Sequence, residues 1–468
     1  MRGSRGLFGY CCRVSDEVTG TFWLANGPRI EGTLKLESGT YSLELNGFCF
    51  TPQSWDIQPG FIGLSGDPAA ITADFAPRTI YGELDGAGPV TLLRAHMDTD
   101  LLAHMFGPLV QRFTGPSYVL NAHIKGEDHE VHGIRWTYNF STRHAGWLQD
   151  SPVGLTDGPV RGQLKPWVSE KEPGFELQLS GPAELRVVRQ GVMGASTQFL
   201  VLWTGCEMAP RHVEIKLGDG NWHECSAPPP GEGKFSRTRL LPLGEVTLQA
   251  LSRWLPMAFR LDPLPYIASD KAGVLQIDAQ AVATALEGLH RRLRGDPRVF
   301  APVSAGAVKR ATRAARETGV QKLVESGFDD EDLATRLFSE ALNNIDQPSY
   351  QQRLLEMASP VVEVAPGLCG PDLSAWVKSM RSIRNDQSHQ LLDHFYDEEI
   401  TQYHIASISG RWVLVLRILL EFADPTRLGL ALGESQIFAF ALANMDVEDY
   451  WPGFSCLQTF RASQETSG

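Results

Sequence analysis

The sequence predicts an α+β multidomain protein in which an antiparallel, sandwich-like β-rich N-terminal region is followed by an all-α helical bundle. Three observations predict it. Short apolar runs punctuated by turn formers fill the chain from about residue 18 to 240. A Pro/Gly-rich break follows at 224–237. Beyond residue 270 the apolar spacing changes to intervals of three, four or seven. The length, 468 residues, exceeds one ordinary hydrophobic core, so two or three domains are expected.

The β-rich part reads as the runs TFWLAN, IEGTLKLE, TYSLELN, RTIYGEL, PVTLLRA, HGIRWTYNF, FELQLS and QFLVLWT. In YSLEL, Tyr41, Leu43 and Leu45 alternate with Ser42 and Glu44, the period of a half-buried antiparallel strand. No helical crossover pattern separates most of these runs, which disfavours a parallel sheet. A short helix is expected between Thr99 and Phe113. The segment LGEVTLQALSRWL suggests a connecting helix, interrupted by the prolines at 263–265. In the helical part, Leu275, Val282, Leu286, Leu289 and Leu293 mark the first long helix. Further helices are expected over DEDLATRLFSEALNNI, PDLSAWVKSMRSIRNDQSHQLLDHF, EEITQYHIASISGRWVLVLRILLEFA and ESQIFAFALANM, a bundle of five or more. The expected division is 1–235 for the β-rich region, 236–269 for a connecting helix and linker, and 270–468 for the helical domain.

Composition narrows the function. A hydrophobic content of 43% with 21% charged residues is that of a globular chain able to bury a core. The net charge of −13 argues against a general nucleic-acid coat, since phosphate binding runs on Lys and Arg. Any nucleic-acid contact is therefore local, and the richest basic stretch is 290–316, with a solvated helix face as its plain reading. The seven cysteines are scattered and form no C-x-x-C pair, so neither a zinc ribbon nor a disulfide framework is indicated. LFGYCC is too short for a signal peptide, and Arg417 interrupts the most apolar run, so a reducing cytoplasmic setting without membrane insertion is expected. Phosphate-loop, dinucleotide and G-x-S-x-G patterns do not occur, and no cofactor is indicated. His123, His129, His132 and His144 do not have metal-ligand spacing, and WHEC at 222–225 fits a loop, so no metal is expected.

The chemistry-bearing segment is RSIRNDQSH, in which four residues separate Arg384 from His389. On a regular helix such positions point about 140° apart, so a curled arginine, a helix end or a two-fold dimer must bring them together. Asn385 and His389 share a face, with Asp393 next along it. Cleaving RNA without metal requires help for the 2′-OH attack, neutralisation of the phosphorane and protonation of the 5′-oxygen. Histidine carries protons near neutral pH, and arginine offers a permanent forked charge that fits phosphate oxygens. The bare spacing is expected roughly once by chance in a chain with this many arginines, so its context matters.

That context is RNDQSH late in a helical region opened by DAQAVATALEGLHRRL, and it resembles a HEPN domain, whose signature is Arg, a polar residue that is often Asn, further residues, then His. TGTFWLANGPRIEGTLKL and IYGELDGAGPVTLLRAHM resemble the N-terminal region of ApeA-type anti-phage proteins. The resemblance implies that Arg384 and His389 are the catalytic pair and that Asn385 is the accompanying polar residue. It also implies RNA as substrate, with tRNA a reasonable example, action as a homodimer or dimer-based oligomer, and a trigger such as a phage protein. Glu287, in ALEGLH, is placed to hold the motif arginine by an ion pair, as polar residues on that helix do in several HEPN proteins; a plain exposed glutamate is the alternative. Lys378 and Arg381 precede Arg384 at three-residue steps and offer a basic stripe for flanking phosphates, or simply a solvated face.

Two other classes stay open from the residues. One is a non-catalytic HEPN-type scaffold binding a protein or nucleic acid. The other is a carbohydrate-binding sandwich suggested by strand aromatics such as Trp136 and Tyr138, for which core packing is the simpler account.

Overall fold

The computed structural model describes residues 17–37, 39–51, 55–58, 61–64, 67–98, 110–227, 240–269, 273–295, 297–389 and 397–467. The chain divides into two compact units, Met1–Phe259 and Arg260–Gly468.

In the first unit, β1 (Glu17–Trp23), β2 (Ile30–Glu37) and β3 (Thr40–Leu45) form an antiparallel meander with Gly20 opposite Gly32 and Leu34 opposite Leu43. The alternation in β3 works as the sequence suggests: Tyr41, Leu43 and Leu45 are buried and Glu44 is exposed. A separate two-stranded sheet of β4 (Trp55–Gln58) and β5 (Phe61–Leu64) and the helix α1 (Pro68–Asp74) follow. Then come β6 (Arg78–Leu84), β7 (Gly88–Asp98), β8 (Gln111–Gly115) and β9 (Ser117–Leu120). Because β8 pairs with both β3 and β7, the ladder β7–β6–β1–β2–β3–β8 returns on itself as a closed antiparallel barrel. Closure removes the free edges that an open sheet would expose. The barrel core includes Phe22, Leu34, Leu43, Ile80, Leu92 and Phe113. The Phe22 ring lies over Gly82, where a Cβ would sit only 2.6 Å from it.

The ladder continues from β7 through β9 into β15 (Trp222–Cys225), β14 (Pro210–Lys216), β10 (Glu130–Tyr138), β13 (Glu172–Glu184), β12 (Gly162–Ser169) and β11 (Val153–Leu155). The antiparallel β-rich expectation holds. Its sandwich-like form is realised as one 13-stranded sheet, closed into a barrel at one end, instead of two stacked sheets.

Several local expectations are corrected. QFLVLWT, read as a strand, lies in α2 (Gly194–Thr204) after a π-helical stretch at Val187–Met193. Its residues are buried nearly all round, and a continuous apolar run carries no period to separate a buried helix from a buried strand. Most of the helix expected between Thr99 and Phe113 lies outside the described residues, and the end of that span belongs to β8. Trp136 and Tyr138 are fully buried among Phe175 and other aromatics, and the Trp136 indole N–H donates to the Tyr138 hydroxyl at 2.9 Å. They are core, so they cannot form a carbohydrate platform.

Residues 228–239, which cover much of the Pro/Gly-rich break and the start of the expected connecting segment, lie outside the described residues. The helix that follows, α3 (Leu248–Leu261), packs into the first unit. Its Trp254 is fully buried and donates to the Ala195 carbonyl at 2.7 Å, while the Leu248 amide donates to Asp150 at 2.6 Å.

The second unit is helical: α4 (Leu264–Ser269), α5 (Leu275–Arg294), α6 (Ala305–Glu325), α7 (Glu331–Leu342), α8 (Tyr350–Val364), α9 (Leu373–His389), α10 (Asp397–Leu419), α11 (Pro425–Glu434), α12 (Gln436–Ala443) and α13 (Cys456–Ser467). Helix α5 is central and packs on α8, α9 and α10 through Val282, Leu286 and Leu289, all fully buried. Gly410 of α10 permits the close approach: a Cβ there would lie 2.7 Å from Val282 and 2.9 Å from Met380. The start of α5 is fixed by buried Asp278, whose carboxylate pairs with Arg411 and accepts from the Ser407 hydroxyl, both on α10. No helix among the described residues is long and apolar enough to cross a membrane.

Candidate active site

The site is assembled from three helices of the second unit. On α9, Trp376, Val377, Met380 and Ile383 are buried, and this face seats the helix on the bundle. The same seating sends Lys378 and Arg381 to the exposed side and leaves Arg384 and Asn385 half-buried at the edge. Arg384 turns toward α5. Its Nη2 lies 3.0 Å from Oε2 of Glu287, whose side chain is only 12% exposed against 38% for the arginine. The other carboxylate oxygen of Glu287 accepts from Arg291 Nη2 at 2.9 Å, one turn along α5. The glutamate thus spans two guanidinium groups, and the alternative of a plain exposed glutamate does not describe it.

The third helix contributes a residue that the sequence reading did not single out. Tyr350 opens α8, and the Arg384 guanidinium carbon stands 4.9 Å from the centre of its ring. This is cation–π distance, and the ring also limits how the arginine can swing. The Tyr350 hydroxyl donates to the Ala283 carbonyl of α5 at 3.1 Å, so the ring is itself anchored. Burial pushes the Tyr350 phenol well above its ordinary value; Arg384 beside it opposes the shift and Glu287 adds to it. Ser349 positions the tyrosine by capping α8: its hydroxyl accepts from the Gln352 amide while the Gln352 side chain accepts from the Ser349 amide. The S-x-x-Q pattern was available as a helix-start signal, but nothing in the sequence links position 350 to position 384.

His389 is the final residue of α9, and its side chain lies outside the described residues, as does Asp393. Arg384 and His389 thus lie on one helix at i and i+5. Lys378 and Arg381 do not join the Glu287–Arg384–Tyr350 cluster by any described contact; they lie exposed along α9. Among the described residues no group of three or more His, Cys, Asp or Glu is placed to hold a metal. His223 of the WHEC segment is buried in the barrel unit, with Nε2 3.3 Å from Asp219.

Chemically, the arrangement provides a permanent cation held at a bundle edge by a nearly buried carboxylate and an aromatic ring. Such an arginine is pre-oriented, so little rotamer freedom remains to be lost when an anion meets its exposed side.

Residues 281–425 match the family model described as Apea-like HEPN, a span that contains Glu287, Tyr350, Arg384, Asn385 and His389. No curated protein and no solved structure matches the chain. Over these residues the helical unit is similar to Apea-like HEPN domains.

Proposed function

We propose that the protein is a metal-independent endoribonuclease of bacterial anti-phage defence, acting by abortive infection as a homodimer or dimer-based oligomer. The observation that supports this reading is the Arg384 guanidinium fixed by Glu287 at 3.0 Å and by the Tyr350 ring, on the helix that also carries His389.

In the proposed reaction the ribose 2′-OH attacks the adjacent phosphorus and the P–O5′ bond breaks. The products are a 2′,3′-cyclic phosphate and a free 5′-hydroxyl. His389 serves as the general acid or base, and two copies facing one cleft supply both roles, one removing the 2′-OH proton and one protonating the leaving oxygen. Arg384 neutralises the charge that grows on the phosphorane oxygens, the step where fixed charge contributes most. Asn385 orients one of the partners by hydrogen bonding. DNA resists because it lacks the attacking hydroxyl. A phage protein relieves the resting state, and tRNA is the substrate of first choice.

The test uses purified full-length protein with total RNA in EDTA, beside His389→Ala and Arg384→Ala. Cleavage by the parent and by neither variant supports the proposal. Equal cleavage by all three overturns it in favour of a non-catalytic scaffold.

A further inference from the structure

Between α5 and α8 the chain leaves the bundle and returns as the helical hairpin α6–α7. The two helices pack chiefly on each other, and Val320 and Ala334 are the only residues within them that are buried. The root of the hairpin is built. Val299 N–H donates to the Asp346 carbonyl at 2.9 Å, the Phe300 amide donates to the Asp346 carboxylate at 2.8 Å, and Arg298 pairs with that carboxylate at 2.6 Å. These contacts hold the carboxyl of Asp346 below the usual carboxylate range.

Above this root lies a groove of about 430 Å³ between α6 and α7. Lys309, Arg313 and Arg316 line it at positions i, i+4 and i+7 of α6. Its one carboxylate is Asp346, already engaged by Arg298. Among the described residues no acid pairs with Lys309 or Arg313, and both are exposed. The next groove along the hairpin differs, setting Glu317, Glu325 and Glu331 against Arg316. In a chain of net charge −13, a groove with three cations and one neutralised acid marks a place for a polyanion.

Its place in the chain says which polyanion. Asp346, at the root end of the groove wall, is four residues from Tyr350, which lies against Arg384, so that end of the wall stands within about 14 Å of Tyr350 by chain reach alone. The hairpin springs from the C-terminal end of α5, two turns beyond Glu287, and returns into the first residue of α8. We infer that the α6–α7 groove grips the phosphates of the RNA strand flanking the scissile bond, with Lys309, Arg313 and Arg316 as the phosphate-binding residues. The inference rests on the endoribonuclease reading.

The experiment measures binding of a fluorescently labelled, unstructured 20-nucleotide RNA by full-length protein in EDTA, by anisotropy across a salt series. His389→Ala serves as the background, so that the RNA stays intact. Lys309→Ala/Arg313→Ala is compared with Lys322→Ala, a control on the same helix whose lysine already pairs with Glu325 at 2.6 Å. Removing two phosphate contacts is expected to lower the log–log salt slope by about 1.4 and to weaken binding roughly tenfold, with Lys322→Ala like the parent. Matching melting temperatures show that the folds are intact. If the background protein binds RNA and the double variant binds with the same slope, the groove assignment is overturned while the ribonuclease reading stands. If the background protein does not bind RNA at all, the groove assignment falls, and the cleavage assay decides the ribonuclease reading separately.

Discussion

Glu287→Gln is the most informative single change, because it keeps the shape of the side chain and removes only the charge that holds Arg384. The carboxylate is 12% exposed and carries two ion pairs, at 3.0 Å to Arg384 and 2.9 Å to Arg291. Hydrogen bonds to charged groups contribute about 1.5–3 kcal/mol each. Both arginines reach solvent, with 38% and 48% of their side chains exposed, and screening removes much of that. The net loss is about 1–2 kcal/mol once screening is counted. In a unit the size of Arg260–Gly468 this lowers the melting temperature by roughly 2–8 °C. On the proposed reaction the effect on rate is expected to exceed the effect on stability, because an arginine released from its carboxylate would lose the orientation that the proposed transition state requires. A misplacement of that kind costs on the order of 10- to 100-fold in kcat. The assays are initial-rate cleavage of a fluorogenic RNA in EDTA and a thermal melt of the same sample. A variant with the parental kcat and an unchanged melt would refute the positioning role of Glu287, whatever the fate of His389.

Tyr350→Phe removes the hydroxyl bond to Ala283 and costs about 1 kcal/mol at pH 8. The unfolded phenol ionises near pH ~10 while the buried one keeps its proton, so the unfolded state binds fewer protons there and stability falls as pH rises past about 10. The variant lacks that titration, so its melting-temperature deficit should shrink between pH 8 and pH 11; a constant deficit would count against a protected phenol. Gly410→Ala forces a methyl toward Val282 and Met380 and should cost about 1–3 kcal/mol in denaturant unfolding of the helical unit. Trp254→Ala should cost about 3–5 kcal/mol and act on the β unit, because the indole is fully buried against Phe199 and bonded to Ala195. An effect confined to the helical unit would contradict that packing.

The sequence by itself determined the order of parts and the residue types at the candidate site. Period-2 alternation marked β3, and three-, four- and seven-residue spacing marked α5, because in each element one face must be apolar to be buried. RNDQSH stood out for the same kind of reason, since Arg, Asn and His at that spacing suit phosphate chemistry and little else in the chain does. Where one face does not differ from the other, the pattern was silent. QFLVLWT folded as a helix, because uniform apolarity reports burial without reporting geometry. Only the tertiary structure decided that the sheet closes through the contact of β8 with β3, that Tyr350 meets Arg384, and that the basic stretch on α6 becomes one wall of a groove. Each of these joins residues far apart in the chain. Such pairings are set by how whole elements pack, and local spacing carries no record of them.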